Sequence, residues 1–300
     1  MDDEIHEKYL LAGKIASQVR EYGIKLIKPG VKLLYVAEKV ENKIIKLGAQ
    51  ISFPVNIAIN NLAAHYSPRH DDQLIFKKGD LVKLDVGTHI DGYIADTAKT
   101  IEVSTNKYDD LIKASSDALD IALDSVKPGI NLSKIGKMVE EKINSFGFKP
   151  INNLTGHSLK RYILHAGLAV PSYHDITNRD KPKVDDVIAI EPFATNGAGY
   201  VVADKGSNIY LCNKTIKTRF IRDKRSKIMY DRINKKFRTL PFAQRWAEKY
   251  FGNSDMVLRK LSYLGFIKHY PQLIEQKDGI VSQREHTTII TENGCEVTTI

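Results

Sequence analysis

The chain has 300 residues, of which 42% are hydrophobic and 27% charged, and its formal net charge is +9 at pH 7. These values predict one large α/β domain, or one domain with an insertion, and no apolar run reaches the length of a membrane span. Two cysteines and the acidic start Met1-Asp2-Asp3-Glu4 argue against a disulfide framework and a secretory signal. We therefore expect a cytoplasmic protein that makes no membrane contact.

The first fifty residues predict two amphipathic helices. Apolar side chains recur at helical spacing from Ile5 to Ile15 and again from Leu33 to Leu47, with a break at Pro29-Gly30 between them. A second Lys-Pro-Gly break, at Lys127-Pro128-Gly129, also lies between two helical runs. This recurrence is a first indication of a duplicated unit.

Residues 81–96 predict a β-hairpin, because two apolar runs flank the turn dipeptide Asp91-Gly92. Each arm carries one aspartate, Asp85 or Asp96, inside its apolar run. A buried carboxylate is costly unless it meets a proton, a cation or a metal. The pair therefore indicates either a metal site or a buried structural ion pair.

A second region resembles this hairpin. The residues Asp80–Asp85 match Asp186–Glu191 at equal spacing, and Gly92–Asp96 resembles Gly199–Asp204 with one residue inserted. The match predicts two pseudo-symmetric halves, with Asp85 and Glu191 near the axis that relates them. Chance similarity between two short hairpins is the alternative.

Further ligand-type residues stand beside apolar strands later in the chain. Glu191 follows one such run, Glu285 begins another, and His157 lies in Gly156-His157-Ser158. Several carboxylates aimed at one point repel each other unless cations hold them, and an added imidazole suits Mn, Fe, Co or Zn better than Ca or Mg. The sequence thus predicts a two-metal hydrolytic site with these ligands: Asp85, Asp96, His157, Glu191 and Glu285.

The segment 205–271 differs in charge from its surroundings. It contains 17 Lys and Arg against 4 Asp and Glu, a balance of +13, so the remaining residues carry −4 of the total of +9. We interpret it as a basic helical insertion, with helical runs at 219–237 and 241–251, in a catalytic domain formed by residues 1–204 and 272–300. Its charge fits contact with ribosomal RNA, or alternatively a solvated, charge-rich surface.

Several motifs in order resemble methionine aminopeptidase of type 2, in the archaeal form that lacks a long N-terminal extension. The resemblance covers nearly the whole chain, and a helical insertion before Glu285 is typical of type 2. The motifs are Asn61-Leu62-Ala63-Ala64-His65-Tyr66-Ser67-Pro68, Leu84-Asp85-Val86-Gly87-Thr88-His89, Ala95-Asp96, Gly156-His157-Ser158, Leu164-His165-Ala166-Gly167, Ile190-Glu191-Pro192-Phe193 and Arg284-Glu285-His286-Thr287.

The resemblance implies the pita-bread fold, in which curved antiparallel sheets of two pseudo-symmetric halves are covered by helices around a central cleft. It implies that Asp96 and Glu285 bridge two ions, Co, Mn, Fe or Zn, and that a metal-bridging water or hydroxide attacks the substrate. By the same match Glu191 relays a proton, while His65 and His165 contact the scissile amide. Phe53 and Leu164 match the methionine pocket, although ordinary core packing is the alternative for both.

The implied activity is removal of the initiator methionine from nascent polypeptides whose second residue is small. We expect a monomer with possible ribosome contact through the insertion. Two alternatives belong to other classes: a proline-directed peptidase of the same fold, and a non-catalytic relative that binds RNA or ribosomes. The first usually carries an additional N-terminal domain, and the second loses metal ligands, whereas all five predicted ligand positions hold competent side chains here.

Overall fold

The computed structural model of the chain describes residues 1–216 and 218–300; Lys217, within the predicted insertion, lies outside the described residues. The first half of the chain contains α1 (Asp3–Leu26), α2 (Leu33–Lys46), β1 (Gln50–Ile59), β2 (Leu62–Ala64), β3 (Leu81–Ile90) and β4 (Tyr93–Glu102). The second half begins with α3 (Asp109–Ser125), α4 (Leu132–Ser145), β5 (Lys149–Pro150), β6 (Thr155–Leu159), β7 (Ala169–Pro171), β8 (Val187–Ile190) and β9 (Phe193–Thr195).

A long excursion follows before the chain returns to the second half. Its elements are β10 (Val201–Cys212), a 3-10 turn (Thr218–Phe220), α5 (Lys224–Phe237), β11 (Phe242–Ala243), α6 (Gln244–Phe251), α7 (Ser254–Tyr263) and β12 (Ile267–Glu275). The chain ends with β13 (Val281–Gln283), β14 (His286–Ile290) and β15 (Cys295–Val297). Among the described residues, no helix is both long and apolar enough to cross a membrane.

The two predicted N-terminal helices are confirmed. Helix α1 begins at an N-cap, Asp2, whose carboxylate accepts a hydrogen bond from the Ile5 amide at 2.8 Å. Helix α2 begins after the break at Pro29-Gly30, and its apolar face packs with that of α1 over the sheet of β1, β3 and β4. The helices thus cover one side of a sheet whose other side faces the centre of the molecule.

The predicted hairpin is also confirmed, as β3 and β4 pair antiparallel along their full length. Its turn residues Asp91 and Gly92 have φ values of 51° and 92°, which is the left-handed pair that a two-residue hairpin turn requires.

The predicted duplication is visible in matching turns. The amide of Lys77 donates to the Asp80 carboxylate before β3, and the amide of Lys183 donates to the Asp186 carboxylate before β8, both at 2.7 Å. In each Lys-Pro-Gly break, the glycine amide also donates to a carbonyl shortly before the corresponding turn. Gly30 donates to Phe76, and Gly129 donates to Pro182. These paired contacts establish two halves with the same local plan.

The similarity of Gly92–Asp96 to Gly199–Asp204, however, has no structural counterpart. Strand β4 pairs with β3, whereas β10 does not pair with β8 but with β11 and β12. Strand β8 pairs instead with β14 and β6. That part of the prediction was wrong because a short Gly-aromatic-apolar pattern does not specify the partner of a strand.

The halves join along β4 and the segment between β13 and β14. The Glu285 amide donates to the Ala98 carbonyl at 3.0 Å, and the Thr97 hydroxyl donates to the Glu285 carbonyl at 2.8 Å. The Asp96 amide in turn donates to the Thr287 hydroxyl at 2.8 Å. This junction brings the carboxylates Asp96 and Glu285 together from opposite halves.

The basic excursion has a hydrophobic cluster of its own. Helices α5, α6 and α7 contribute Met229, Ile233, Ala247 and Leu258 to it, all buried. Strands β10 and β12 pair with each other and connect this helical layer to β2. The layer therefore stands next to the short strand that leads into His65.

Candidate active site

One cavity of about 70 Å³ lies where the two halves and the excursion meet. The structure brings every residue of the predicted site to its wall. The nine residues are Phe53, His65, Asp85, Asp96, His157, Leu164, His165, Glu191 and Glu285.

Strand pairing places the carboxylates of the first half. Asp96 lies opposite Gly87, so it is the diagonal neighbour of Asp85 on the same face of the β3–β4 hairpin. The aspartates therefore point to one spot although eleven positions separate them along the chain. Gly87 has no side chain on this face, and the Phe53 ring and the Ser52 hydroxyl pack against it.

The second half supplies the other ligand-type residues by the same means. His157 on β6 lies opposite Ala189 on β8, and Glu191 follows two residues later. His286 pairs with Ile190, so Glu285 enters its strand beside Glu191.

The distances among these groups leave room between them. The His157 Nε2 atom is 3.7 Å from Asp96 Oδ2 and 3.7 Å from Glu191 Oε1, beyond hydrogen-bond length. One ligand atom from each of Asp96, His157 and Glu285 lies within 4.8 Å of the others. Such spacing is typical of ligands arranged about a cation.

Several polar atoms of this cluster are buried without a partner. Within the described part of the chain, Asp85 Oδ1, Asp96 Oδ1 and Glu285 Oε2 find no hydrogen-bond donor. Buried carboxylate oxygens are normally satisfied, because an unpaired one loses its hydration without compensation. The donor set, four carboxylates and one imidazole, is one that divalent transition metals bind, so these residues could hold such ions.

The electrostatics of the protein without metal point the same way. Burial raises the pKa of Asp85 to about 7. Burial, followed by the charges of Asp85 and Glu191, raises the pKa of Asp96 well above its usual range, and burial likewise raises the pKa of Glu191 and Glu285. A cation placed among them would reverse these shifts, since it favours the ionised form.

The imidazole of the cluster is neutral. Burial, followed by the charge of His165, lowers the pKa of His157 to about 3. Its lone pair is therefore available at neutral pH, as ligation of a metal requires.

Two further histidines flank the cluster. His65 follows β2 with a φ of 63°, and its ring lies 5.4 Å from the ring of Tyr270, centroid to centroid. Burial lowers the pKa of His65 to about 4, so this ring is also neutral at pH 7. The His165 ring lies 4.3 Å from that of His157, centroid to centroid, and desolvation of its imidazole, followed by the charge of Lys268, lowers its pKa.

Sequence reasoning missed several lining residues. Gln283 donates to Glu191 Oε2 at 3.1 Å, and its position two residues before Glu285 on a strand was a usable signal. Asn56 lies opposite Asp85, but only the β1–β3 register reveals this. Ile209, Pro241 and Tyr270 come from the excursion, where no pattern in the sequence marked them.

Three polar residues beside the motifs lie outside the cavity lining. The His89 ring nitrogen accepts from the Gly92 amide at 3.0 Å, which stabilises the hairpin turn. His286 bonds the Thr299 hydroxyl at 2.7 Å, on the opposite side of its strand from Glu285. Asp204 is exposed on β10.

Comparison with known proteins agrees with this geometry. The model of metallopeptidase family M24 matches residues 7–221. The chain is 49% identical over 299 residues to the methionine aminopeptidase of Methanocaldococcus jannaschii, with 100% of both chains covered. This relative matches across the whole chain, including the excursion.

Two solved structures share the fold at low identity. A thermophilic Arx1 superposes with a TM-score of 0.86 at 19% identity, covering 99% of this chain and 91% of its own. The methionine aminopeptidase of Rickettsia prowazekii superposes with a TM-score of 0.72 at 19% identity, covering 100% and 98%. The predicted pita-bread fold, with antiparallel sheets covered by helices, is confirmed.

The family match, the archaeal relative and the arrangement of the cavity lead to one conclusion. The chain belongs to metallopeptidase family M24 and, within it, to the methionine aminopeptidases of the archaeal type 2 form, which are metal-dependent hydrolases.

Proposed function

We propose that this chain removes the N-terminal methionine from nascent proteins and peptides, with two divalent metal ions held by Asp85, Asp96, His157, Glu191 and Glu285. The observation that carries the proposal is the convergence of these five side chains from both halves on one cavity, with buried carboxylate oxygens that lack donors. Kinship to the archaeal methionine aminopeptidases supports it and does not favour a proline-directed peptidase.

Each protein group has a proposed task. Divalent cations held by these residues would lower the pKa of a water and polarise a carbonyl. Glu191, held by Gln283, accepts the proton of the attacking water and passes it to the departing amine. His65 faces the amide nitrogen, and His165 donates toward the carbonyl oxygen where charge develops.

We propose that selectivity for methionine arises from the apolar part of the cavity lining. Phe53 is buried and Leu164 half-buried, and both contribute apolar surface to the lining. A thioether side chain fits such a small apolar slot. The preference for a small second residue remains a prediction.

The test is release of free methionine by metal-free protein, before and after addition of Mn, Co, Fe or Zn. We expect cleavage of Met-Ala-Ser but not of Met-Leu-Ser, only with metal, and none by Asp96→Asn. Metal titration followed by calorimetry gives the number of ions and the preferred metal. Absence of cleavage with every metal would overturn the proposal.

We further propose that residues 205–271 form a subdomain, because the helices α5–α7 pack on a cluster of their own. Its charge of +13 fits a surface that meets ribosomal RNA near emerging chains. Binding to ribosomes should then fall steeply as salt rises from 50 to 200 mM, since phosphate contacts release counterions. Binding that does not depend on salt contradicts this proposal.

A further inference from the structure

A buried polar network joins helix α6 to the segment that carries His65. The Arg245 guanidinium donates from Nη1 to the Ser67 hydroxyl at 2.7 Å and to the Pro68 carbonyl at 2.9 Å. Its Nη2 pairs with the Glu41 carboxylate of α2. Arg245 is 4% exposed, Glu41 6% and Ser67 0%.

The network closes on itself through the backbone of β1. Ser67 donates to the Val55 carbonyl at 2.7 Å, and the Val55 amide donates to Glu41 at 3.2 Å. The Trp246 indole donates to the second Glu41 oxygen at 2.9 Å. Loss of the arginine would leave a buried carboxylate without its cation, which is strongly unfavourable.

The segment held in this way is under conformational strain. His65, two residues before Ser67, has a φ of 63°, a region that non-glycine residues rarely occupy because it is strained. Such a conformation persists only where the surroundings hold it. Arg245 does not line the catalytic cavity, so it contacts the His65 segment from outside the cavity.

We propose that Arg245 is a positioning residue for His65, acting through Ser67 and Pro68; this inference rests on the proposed function. The subdomain thereby completes the active site, because one of its helices fixes the backbone from which a catalytic imidazole projects. A displacement of about 1 Å at a catalytic group lowers rates by up to about 100-fold.

The experiment compares Arg245→Met with Arg69→Met in the full chain loaded with Mn. Arg69 is a matched control, since it lies on the same segment and pairs with Asp255 of α7, but at the surface. We expect Arg245→Met to lower kcat on Met-Ala-Ser about 10- to 100-fold at unchanged metal stoichiometry. Arg245→Lys should restore part of the lost kcat. Arg69→Met should change kcat less than about 2-fold. Equal kcat for both methionine variants would overturn the proposal.

A double-mutant cycle separates positioning from general weakening of the fold. If Arg245 acts through His65, Arg245→Met should change kcat less than about 2-fold in a His65→Ala background. A full 10- to 100-fold loss in that background would show that Arg245 acts by another route and would refute the proposal.

Two further measurements cover failure of the main variant or of the proposed function. If Arg245→Met does not fold, Ser67→Ala replaces it as the test, because this variant retains the Arg245–Glu41 pair. We expect its kcat to be about 3- to 10-fold lower than that of the wild type, and an unchanged kcat contradicts the route through Ser67.

If the wild-type protein releases no methionine, the proposed function fails. The imidazole ¹⁵N shifts of His65 in metal-free protein then decide the positioning role. They should change in Ser67→Ala or Arg245→Met and stay unchanged in Arg69→Met.

Discussion

At the scale of single residues, the clustered carboxylates of the cavity lower the stability of the metal-free protein. Four acids and one histidine converge there, with Asp96, Glu285 and His157 buried and Asp85 and Glu191 half-buried. The raised pKa values of the acids express their mutual repulsion and lost hydration. A cation removes this penalty, so the same arrangement that destabilises the metal-free fold prepares the site for metal.

A first prediction concerns Asp85→Asn in metal-free protein. The folded-state pKa of about 7 lies above that of the unfolded chain, so the folded protein binds the extra proton between about pH 4 and pH 7 and loses stability as pH rises through this window. The variant should therefore be more stable than wild type at pH 8, by at most about 4 kcal/mol, and nearly equal at pH 4. Urea unfolding of both proteins at each pH measures the difference.

Comparison at each pH is essential, because the buried histidines titrate in the opposite sense. The lowered pKa of His157, about 3, removes stability from wild type and variant alike as pH falls below about 6.5. A difference between the two proteins that does not grow with pH would contradict the assignment to Asp85.

A second prediction concerns His165. Removal of its ring by His165→Ala should lower kcat about 100- to 1000-fold, as loss of an oxyanion donor does, with metal stoichiometry unchanged because the ring is not a proposed ligand. Steady-state kinetics and metal analysis test both parts. His174→Ala is the control, since His174 is exposed and outside the cavity lining; loss of metal in His165→Ala would assign the ring to the ligand set instead.

At the scale of elements, strands β1, β3 and β4 carry both the proposed metal-binding face and part of the proposed methionine pocket. Gly87 lies between Phe53 on β1 and Asp96 on β4, so one backbone position controls the spacing of both. The close approach there depends on the missing side chain. Packing at this point therefore sets the position of the Phe53 ring in the proposed pocket.

A third prediction follows for Gly87→Ala. A Cβ at this position would overlap the Phe53 ring and the Ser52 hydroxyl, so the ring must move toward the cavity. We expect a loss of about 1–3 kcal/mol in the free energy of unfolding and a higher KM for Met-Ala-Ser. Gly294→Ala, where a Cβ would meet nothing within 4 Å, should change neither. An unchanged KM with lower stability would remove Phe53 from the proposed pocket.

At the scale of the whole molecule, the proposed metal ligands come from both halves. Asp85 and Asp96 belong to the first half, and His157, Glu191 and Glu285 to the second, and the halves meet at the junction of β4 with Glu285. Binding of a ligand to the folded state alone stabilises it by mass action. Metal should thus act as a clamp for the entire fold.

A fourth prediction is that metal raises the Tm. At a free concentration 100 times Kd the gain is about 2.7 kcal/mol, which corresponds to roughly 4 °C for a chain of this size. Scanning calorimetry with and without Mn measures it. Asp96→Asn should show little of this rise, and an equal rise in that variant would place the stabilising metal outside the proposed site.

Much of this architecture follows from local sequence. Helical periodicity and the Pro-Gly breaks specify α1 to α4, and Asp91-Gly92 specifies the β3–β4 hairpin, because caps and turns depend on neighbouring residues. Acids in apolar strands identify the candidate metal ligands, since a carboxylate at such a position needs a proton, a cation or a metal as partner. The resemblance to type 2 methionine aminopeptidases supplied the roles of His65 and His165.

Only the tertiary structure decided which strands pair and what the excursion contributes. The pairing of β8 with β14 rather than β10 arises from register between distant segments, which short patterns do not encode. For the same reason Tyr270, Asn56 and the contact of Arg245 with Ser67 have no signature in the sequence. Local interactions depend on adjacent residues, whereas packing between segments far apart in the sequence depends on the fold as a whole.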